Sequence, residues 1–346
     1  MRYAPFGAQY KDYNMSLSIF HNGSTPLILA PMAGVSDCAF RRICREHGAS
    51  LTVTEMISAK AIHYNDIKTA ALARIRQDEY PCALQIFGSE PDIMAEAAYR
   101  ITERSYRGCV SESAPYAIDI NMGCPVKKVV SNGEGSALMK DPELIFRIVK
   151  AVSEAVGIPV SVKIRAGWDG SHKNAPECAK AAESGGASMI CVHGRTRDQM
   201  YFPPVDREVI AAVKKAVSLP VIANGGINNA KDALDMLRET GCDGLALARG
   251  VRGNPWLFEE INAALKGEKY APPDEMTRLD TAKYHLSLLK EDKGETSAVL
   301  EGRGALIWYV HGMRGAAKFR LDINQAGSTG EMIGLIDKMK DLQAIE

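Results

Sequence analysis

A chain of 346 residues that is 46% hydrophobic can bury a large core, which excludes a disordered chain and leaves room for one large α/β domain plus a smaller appendage. Lys+Arg and Asp+Glu both number 42, so no global charge marks a nucleic-acid binder and any basic surface is local. The eight cysteines include no CxxC pair, the start MRYAPFGAQYKDYNMSLSIF has no long apolar core, and no later run approaches a membrane span, so a reduced, soluble, cytoplasmic protein is expected.

An irregular extension is expected over residues 1–25. From there short apolar segments alternate with amphipathic ones, the pattern of parallel strands covered by helices. The expected strands are LILAPM (27–32), SLTVTE (50–55), CALQIF (82–87), YAIDIN (116–121), PVSVKI (159–164), SMICVH (188–193), PVIANG (220–225) and DGLALA (243–248). Helix starts are signalled by Ser36-Asp37, Asp141-Pro142 and Asn228-Asn229, side chains that accept from the free N–H groups of a first turn. These β/α units predict a TIM barrel over 26–265. A doubly wound open sheet competes with it, but APMAGVSD after the first strand is not a GxGxxG turn. SNGEGSALMK (131–140) matches no phosphate-loop spacing and is expected to be a mobile surface loop near the site. YAPPDE (270–275) then marks a linker into a helical domain over 270–346, with runs near 276–293, 296–313 and 329–344. Within it GRGALIWYVHGMRGAAKFR (302–320) carries Arg303, Arg314, Lys318 and Arg320 without an acid, which fits a polyanionic partner or a solvated helix face.

A TIM barrel does its chemistry at the carboxyl ends of its strands. Those ends carry Pro31-Met32-Ala33, Glu55, Gln85, Asn121 and Cys124, Lys163 and Arg165, His193 and Arg195, Asn224-Gly225-Gly226, and Ala248-Arg249. Singly, a lysine such as Lys163 is more often a strand-end surface lysine and a histidine such as His193 more often a hydrogen-bonded core histidine. A barrel would point them into one cavity. NGGI after the seventh strand and ARG after the eighth suit a phosphate, where glycines let backbone N–H groups approach and an arginine adds charge-assisted bonds, so a phosphorylated cofactor is expected. Cys124 and His193 have no further Cys or His at ligand spacing, so no metal is expected; a nucleophilic Cys124 with His193 as its base stays open on spacing alone.

The motifs LAPMAGVSDCAFR, TEM, LQIFGS, DINMGCPVKKVVSNGEGSALMKDP, VKIRAGWD, VHGRTR, PVIANGGI and ARGVRGNPW together resemble the flavin-dependent tRNA-dihydrouridine synthases, in particular the DusB-like branch, over roughly residues 26–260. The resemblance implies an FMN-containing barrel that reduces the C5–C6 double bond of particular tRNA uridines, with NADPH or NADH as electron donor. It implies FMN contacts from Pro31, Met32, Ala33, Gln85, Lys163, His193, Asn224, Gly225, Gly226, Ala248 and Arg249. Cys124 matches the proton donor to C5, opposite a hydride passing from N5 of FMN to C6, and its thiol is expected to be neutral at rest. Glu55, Asn121, Arg165 and Arg195 are expected substrate contacts. Where relatives often have Asn-Gly-Asp and Gly-Arg, this chain has Asn-Gly-Gly and Ala-Arg. Arg303-Gly304-Ala305 stands where an Arg-Lys-His run is common.

Without a dinucleotide-binding fold, NAD(P)H is expected to visit the same cavity before the RNA, and tRNA binding is expected to be moderate and salt-sensitive. Extruding the target base from a folded RNA costs a few kcal/mol, which Arg195, Arg197 and the tail cations would offset. No stable protein partner is expected. The alternatives are an FMN-dependent dehydrogenase of a free pyrimidine, of the dihydroorotate or dihydropyrimidine type, and a non-catalytic RNA-binding or regulatory protein on the same barrel; the basic helical tail argues against the first.

Overall fold

The computed structural model describes residues 17–20 and 23–344. Of the expected extension, residues 1–16, 21 and 22 lie outside the described residues; Ser18–Phe20 forms one 3₁₀ turn. The strands are β1 (Leu27–Leu29), β2 (Leu51–Val53), β3 (Ile57–Ser58), β4 (Cys82–Phe87), β5 (Ala117–Met122), β6 (Val160–Arg165), β7 (Met189–His193), β8 (Val221–Asn224) and β9 (Gly244–Leu247). All pair in parallel, and the order β2-β1-β9-β8-β7-β6-β5-β4 closes through β2–β4, giving the expected TIM barrel of eight strands. The additional β3 lies beside the far end of β4, Ile57 opposite Ile86.

The expected second strand, SLTVTE, therefore ends early. Thr54 N still donates to Ala83 O at 3.0 Å, but its hydroxyl then accepts from Gln85 N at 3.0 Å in place of a strand carbonyl. A side chain interrupts the ladder there, and the chain re-pairs only at Ile57.

Successive side chains of each strand face opposite sides. One set, including Ile28, Val53, Ala83, Ala117, Met189 and Ile222, packs inside the barrel, and Leu17 and Ile19 from the 3₁₀ turn join this inner cluster. The other set faces the surrounding helices in the main core, where Leu27, Ile86, Ile118, Val162 and Leu247 are buried. The expected caps are present: Asp37 accepts from Phe40 N, Asp141 from Leu144 N and Asn229 from Asp232 N.

The tail comprises Glu275–Tyr309, broken at Gly294 (φ 77°, ψ 172°), then Ala316–Ile323 and Thr329–Gln343. Ala316–Ile323 is a further helix beyond the three runs read from sequence. A separate core of Leu279, Leu286, Leu306, Tyr309, Phe319 and Ile336 packs against Ala39, Ile43 and Trp256 of the barrel. Among the described residues no helix is long and apolar enough to cross a membrane.

Candidate active site

Parallel register carries the inward side chains of neighbouring strands to the same level. Gln85 stands opposite Asp119, Asp119 opposite Ser161, Asn121 opposite Lys163, Arg165 opposite His193, and His193 opposite Asn224. Above this layer opens a cavity of about 410 Å³, within the range of small-molecule sites. Its lining includes Cys124, Pro31-Met32-Ala33 and Gln85, and further round the mouth Lys163, His193, Asn224-Gly225-Gly226 and Ala248-Arg249. Asn121, Arg165 and Arg195 also reach it. Glu55 does not line it; its carboxylate accepts from Gly34 N on the rim.

A buried chain of amides runs beneath Cys124. Ser161 Oγ donates to Asp119 Oδ1 at 2.6 Å, Gln85 Nε2 to Asp119 Oδ2 at 2.6 Å, and Asn121 Nδ2 to Gln85 Oε1 at 2.8 Å. Asn121 Oδ1 then accepts from Gly123 N at 3.1 Å and Cys124 N at 2.9 Å. A carboxylate only accepts and a backbone N–H only donates, so both ends dictate which way each amide points. Asn121 thus has its oxygen committed to positioning Cys124. Burial holds the Asp119 carboxyl up at about 6, against the lowering pull of its Ser161 and Gln85 bonds and of Lys163.

The loop is gripped from its other side as well. Cys124 O accepts from Ser136 N at 3.0 Å and from Ser136 Oγ at 2.9 Å. SNGEGSALMK is consequently not the surface loop expected: Glu134, Gly135, Ser136, Leu138 and Met139 are buried, and the stretch Gly135–Lys140 is a 3₁₀ helix under Cys124. Gly135 has φ 60°, and a Cβ there would come within 2.8 Å of Cys124 O. The Gly-rich pattern reflects this close approach.

The electrostatics are one-sided. Arg165 donates to Gly123 O at 2.7 Å, Thr196 O at 3.0 Å and Met200 O at 2.8 Å, tying the Cys124 loop to the loop after β7. Arg195 bonds Phe202 O at 2.8 Å and, through Nη1, His193 Nε2 at 3.1 Å. Lys163, Arg165, Arg195 and Arg249 make no salt bridge among the described residues. Burial and these four cations drive the His193 pKa far below its ordinary value, so the ring is neutral and accepts from Arg195 through Nε2. Burial lowers Lys163, with Arg165 adding to the effect, and holds Arg165 at about 10. Burial pushes the Cys124 thiol up despite the opposing pull of Arg165 and Lys163, so it is protonated near neutrality. Among the described residues no cluster of His, Cys, Asp and Glu could hold a metal.

The strand-end residues fit a phosphorylated group on structural grounds. Gly225 and Gly226 have φ 110° and 71°, and a Cβ on Gly225 would lie 2.7 Å from His193 Cδ2. Backbone therefore approaches the cavity where side chains cannot, beside cations that lack acidic partners. Sequence reading missed Tyr201, which lines the cavity with Arg165 and Arg249 at 5.8 and 4.8 Å from its ring, and Arg252, 4.1 Å from the Trp308 ring of the tail. The aromatic pair in DQMYFPP was the available signal. In the tail Arg303 turns inward to Ala326 O at 2.7 Å and Lys318 pairs with Asp322 at 3.3 Å, so part of the expected basic patch is engaged within the protein.

The fold and site define a parallel β/α-barrel protein whose strand ends enclose a cavity lined by lysine and arginine without a carboxylate, with a neutral thiol on its lip. Residues 28–344 match the sequence model of the family described as Dihydrouridine synthase (Dus), and the chain belongs to that family. It is 42% identical over 303 residues to the "Probable tRNA-dihydrouridine synthase" of Rickettsia conorii, covering 87% of this chain and 89% of the relative. It is 39% identical over 304 residues to the "tRNA-dihydrouridine synthase B" of Pseudomonas aeruginosa, covering 88% and 89%. Among solved structures, DHODH from Eimeria tenella in complex with ferulenol shares the fold, with a TM-score of 0.52 and 14% identity over 76% of this chain and 86% of that one.

Proposed function

We propose that the protein is a tRNA-dihydrouridine synthase, reducing the C5–C6 double bond of particular uridines in tRNA with FMN in the barrel mouth and NADPH or NADH as electron donor. The observation that carries this reading is the placement of Cys124, its loop fixed by the Asn121 amide and by Ser136 over a cationic cavity of cofactor size, with burial raising the thiol's pKa. In a Dus-family chain that combination supplies an acid, not a thiolate nucleophile.

The Gly225-Gly226 backbone and Arg249 would hold the cofactor phosphate. Lys163 and neutral His193 would face the ring system, and Pro31-Met32-Ala33 would close one wall. When bound, reduced FMN supplies the electron pair and the hydrogen that goes to C6 of the uracil. Cys124 gives its proton to C5, and the half-buried sulfur regains one from solvent. Lys163 and Arg165 lie near enough to lower the cost of the thiolate left behind, which keeps the transfer feasible for a thiol whose resting pKa is raised. Arg165, with its guanidinium committed to three carbonyls, positions the Cys124 loop rather than binding the base directly.

Mapping dihydrouridine in tRNA from cells lacking the gene tests the reading. A wild-type copy is expected to restore the modification. A Cys124→Ala copy should lower the rate by about 10²–10⁴-fold, the usual weight of a general acid, while the purified variant keeps its flavin absorbance. Full restoration by the alanine copy would remove the assigned acid.

A further inference from the structure

Beyond the cavity lining, three successive barrel loops meet at one indole ring. Lys140 ends the 3₁₀ helix that follows β5, Trp168 lies in the turn after β6, and Arg197 in the loop after β7. Lys140 Nζ is 3.4 Å from the Trp168 ring centroid and Arg197 Cζ is 3.9 Å from it. Two cationic heads that close to one centroid occupy opposite faces of the ring, where the π-system attracts each.

The arrangement is rigidly built. Trp168 N donates to His172 O at 3.0 Å, Arg197 N to Gly167 O at 3.0 Å and Asp198 N to Trp168 O at 3.4 Å. A Cβ on Gly167 would fall 2.1 Å from His172 O, so the turn admits only glycine at that point. Neither Lys140 nor Arg197 makes a salt bridge among the described residues. The carboxylates nearest in sequence are engaged elsewhere: Asp198 by Thr196 and Gln199 N, Asp169 by Ser171 and His172, Asp141 by Leu144 N. Two like charges fixed on one ring and left unneutralised favour an anion that bridges them. Lys127 and Lys128, exposed in the helix that follows Cys124 and likewise without a salt bridge among the described residues, add further positive charge. Several separated cations suit a chain of phosphates better than one free anion.

We propose that Lys140, Trp168 and Arg197 form a phosphate clamp on the barrel rim that grips the RNA backbone flanking the uridine being reduced. The proposal rests on the reading of tRNA as substrate. Arg165 gives the clamp its link to the chemistry, because its bonds to Gly123 O and Thr196 O tie the Cys124 loop to the loop that carries Arg197. Phosphate held at the clamp therefore sits in fixed relation to the thiol.

The test uses flavin-loaded enzyme and unmodified tRNA purified from cells lacking the gene, with dissociation constants measured across a salt series. A Lys140→Met/Arg197→Gln double variant should flatten the slope of log K against log salt by about 1.4–1.8, at roughly 0.7–0.9 per lost phosphate contact. Trp168→Leu keeps both charges but frees them, and should raise KM for tRNA about tenfold with kcat at saturation little changed. Flavin content equal to the wild type verifies folding, and the two single variants Lys140→Met and Arg197→Gln, at an exposed and a half-buried position of the rim, carry the test should Trp168→Leu fail to load flavin. An unchanged salt slope in the charge variants overturns the clamp, as does a Trp168→Leu enzyme with wild-type KM. If the wild type forms no dihydrouridine the substrate reading falls; if it does and the variants match it, only the clamp falls.

Discussion

Arginine and lysine crowd two places in this molecule, and the company they keep differs. At the joint between barrel and helical tail, Arg41 meets Glu79 at 2.9 Å, Arg42 meets Asp78 at 2.7 Å, Arg76 meets Glu291 at 2.7 Å and Asp292 at 3.1 Å, and Lys293 meets Asp37 at 3.2 Å. At the cavity mouth, Lys163, Arg165, Arg195 and Arg249 have backbone carbonyls, aromatic rings or nothing charged opposite them. A balanced total of 42 basic and 42 acidic residues conceals this separation. Matched charge holds two bodies together; unmatched charge awaits a ligand.

The sharpest way to break the comparison is to remove one acid from the joint and one cation from the mouth. Arg41 and Glu79 are 2% and 0% exposed, so Glu79→Gln leaves a buried guanidinium without its countercharge and should lower stability by about 3–5 kcal/mol in denaturant unfolding. Arg249→Met should behave in the opposite way. Arg249 is exposed and pairs with no acid among the described residues, so apoprotein stability should stay within about 0.5 kcal/mol of wild type. FMN affinity should fall roughly 10–100-fold, the weight of a charge-assisted bond to phosphate. Equal losses of stability in the two variants, or unchanged flavin affinity in Arg249→Met, would erase the distinction.

Asp119 lies buried beneath the mouth, under Gln85 and outside the cavity lining, and it titrates in an accessible range. Its folded pKa of about 6 lies above the ordinary aspartate value, so the folded state binds the proton more tightly. The ionised form is therefore unfavourable to folding, and the cost develops as pH rises from about 4 to about 6. Acidification through 6 relieves that cost but turns Asp119 from an obligate acceptor into a group that can donate, which loosens the orientation of Gln85, Asn121 and the Cys124 loop. Turnover should consequently fall below about pH 6 while the fold does not weaken from this group. Asp119→Asn should lose about tenfold in kcat at pH 8 and lack that acidic limb. A variant that keeps the limb assigns it to another group.

These two regions were unequally legible in the sequence. The strands, the Asp and Asn caps and the strand-end residues announce themselves because apolar runs and turn chemistry are local. What holds Asn121 and Arg165 in place is not local: their partners are Gln85, 36 positions away, and carbonyls 31 to 42 positions away, so no local signal shows that these two expected substrate contacts also brace the Cys124 loop. The buried stretch after Cys124 was misread for the same reason, since its glycine accommodates a carbonyl that only the folded chain brings near. The helix Ala316–Ile323 went unnoticed between glycines, and the ion pairs that cross the joint, Arg76 with Glu291 and Asp292 and Lys293 with Asp37, join segments more than 200 residues apart. The mouth was found because register concentrates strand ends; the joint was not, because nothing local marks it.

The smallest expected effect sharpens the mouth at its paired glycines. Gly226 has φ 71°, in the left-handed region that Asn and Asp enter more readily than other side chains. A Cβ there would meet Val205 Cγ2 at 3.0 Å, a contact a slight shift relieves, whereas on Gly225 it would meet the packed His193 ring at 2.7 Å with φ 110°. Gly226→Asn should hence change stability by under about 1 kcal/mol and FMN affinity by a few-fold at most. Gly226→Asp should fold as well but bind FMN more weakly than Gly226→Asn if its carboxylate faces the phosphate, and equally if the side chain points to solvent. Gly225→Ala should lose flavin in both thermal-shift and absorbance measurements. Were Gly225→Ala to load flavin normally, backbone approach would not be what the paired glycines provide, and the cations alone would have to account for the site.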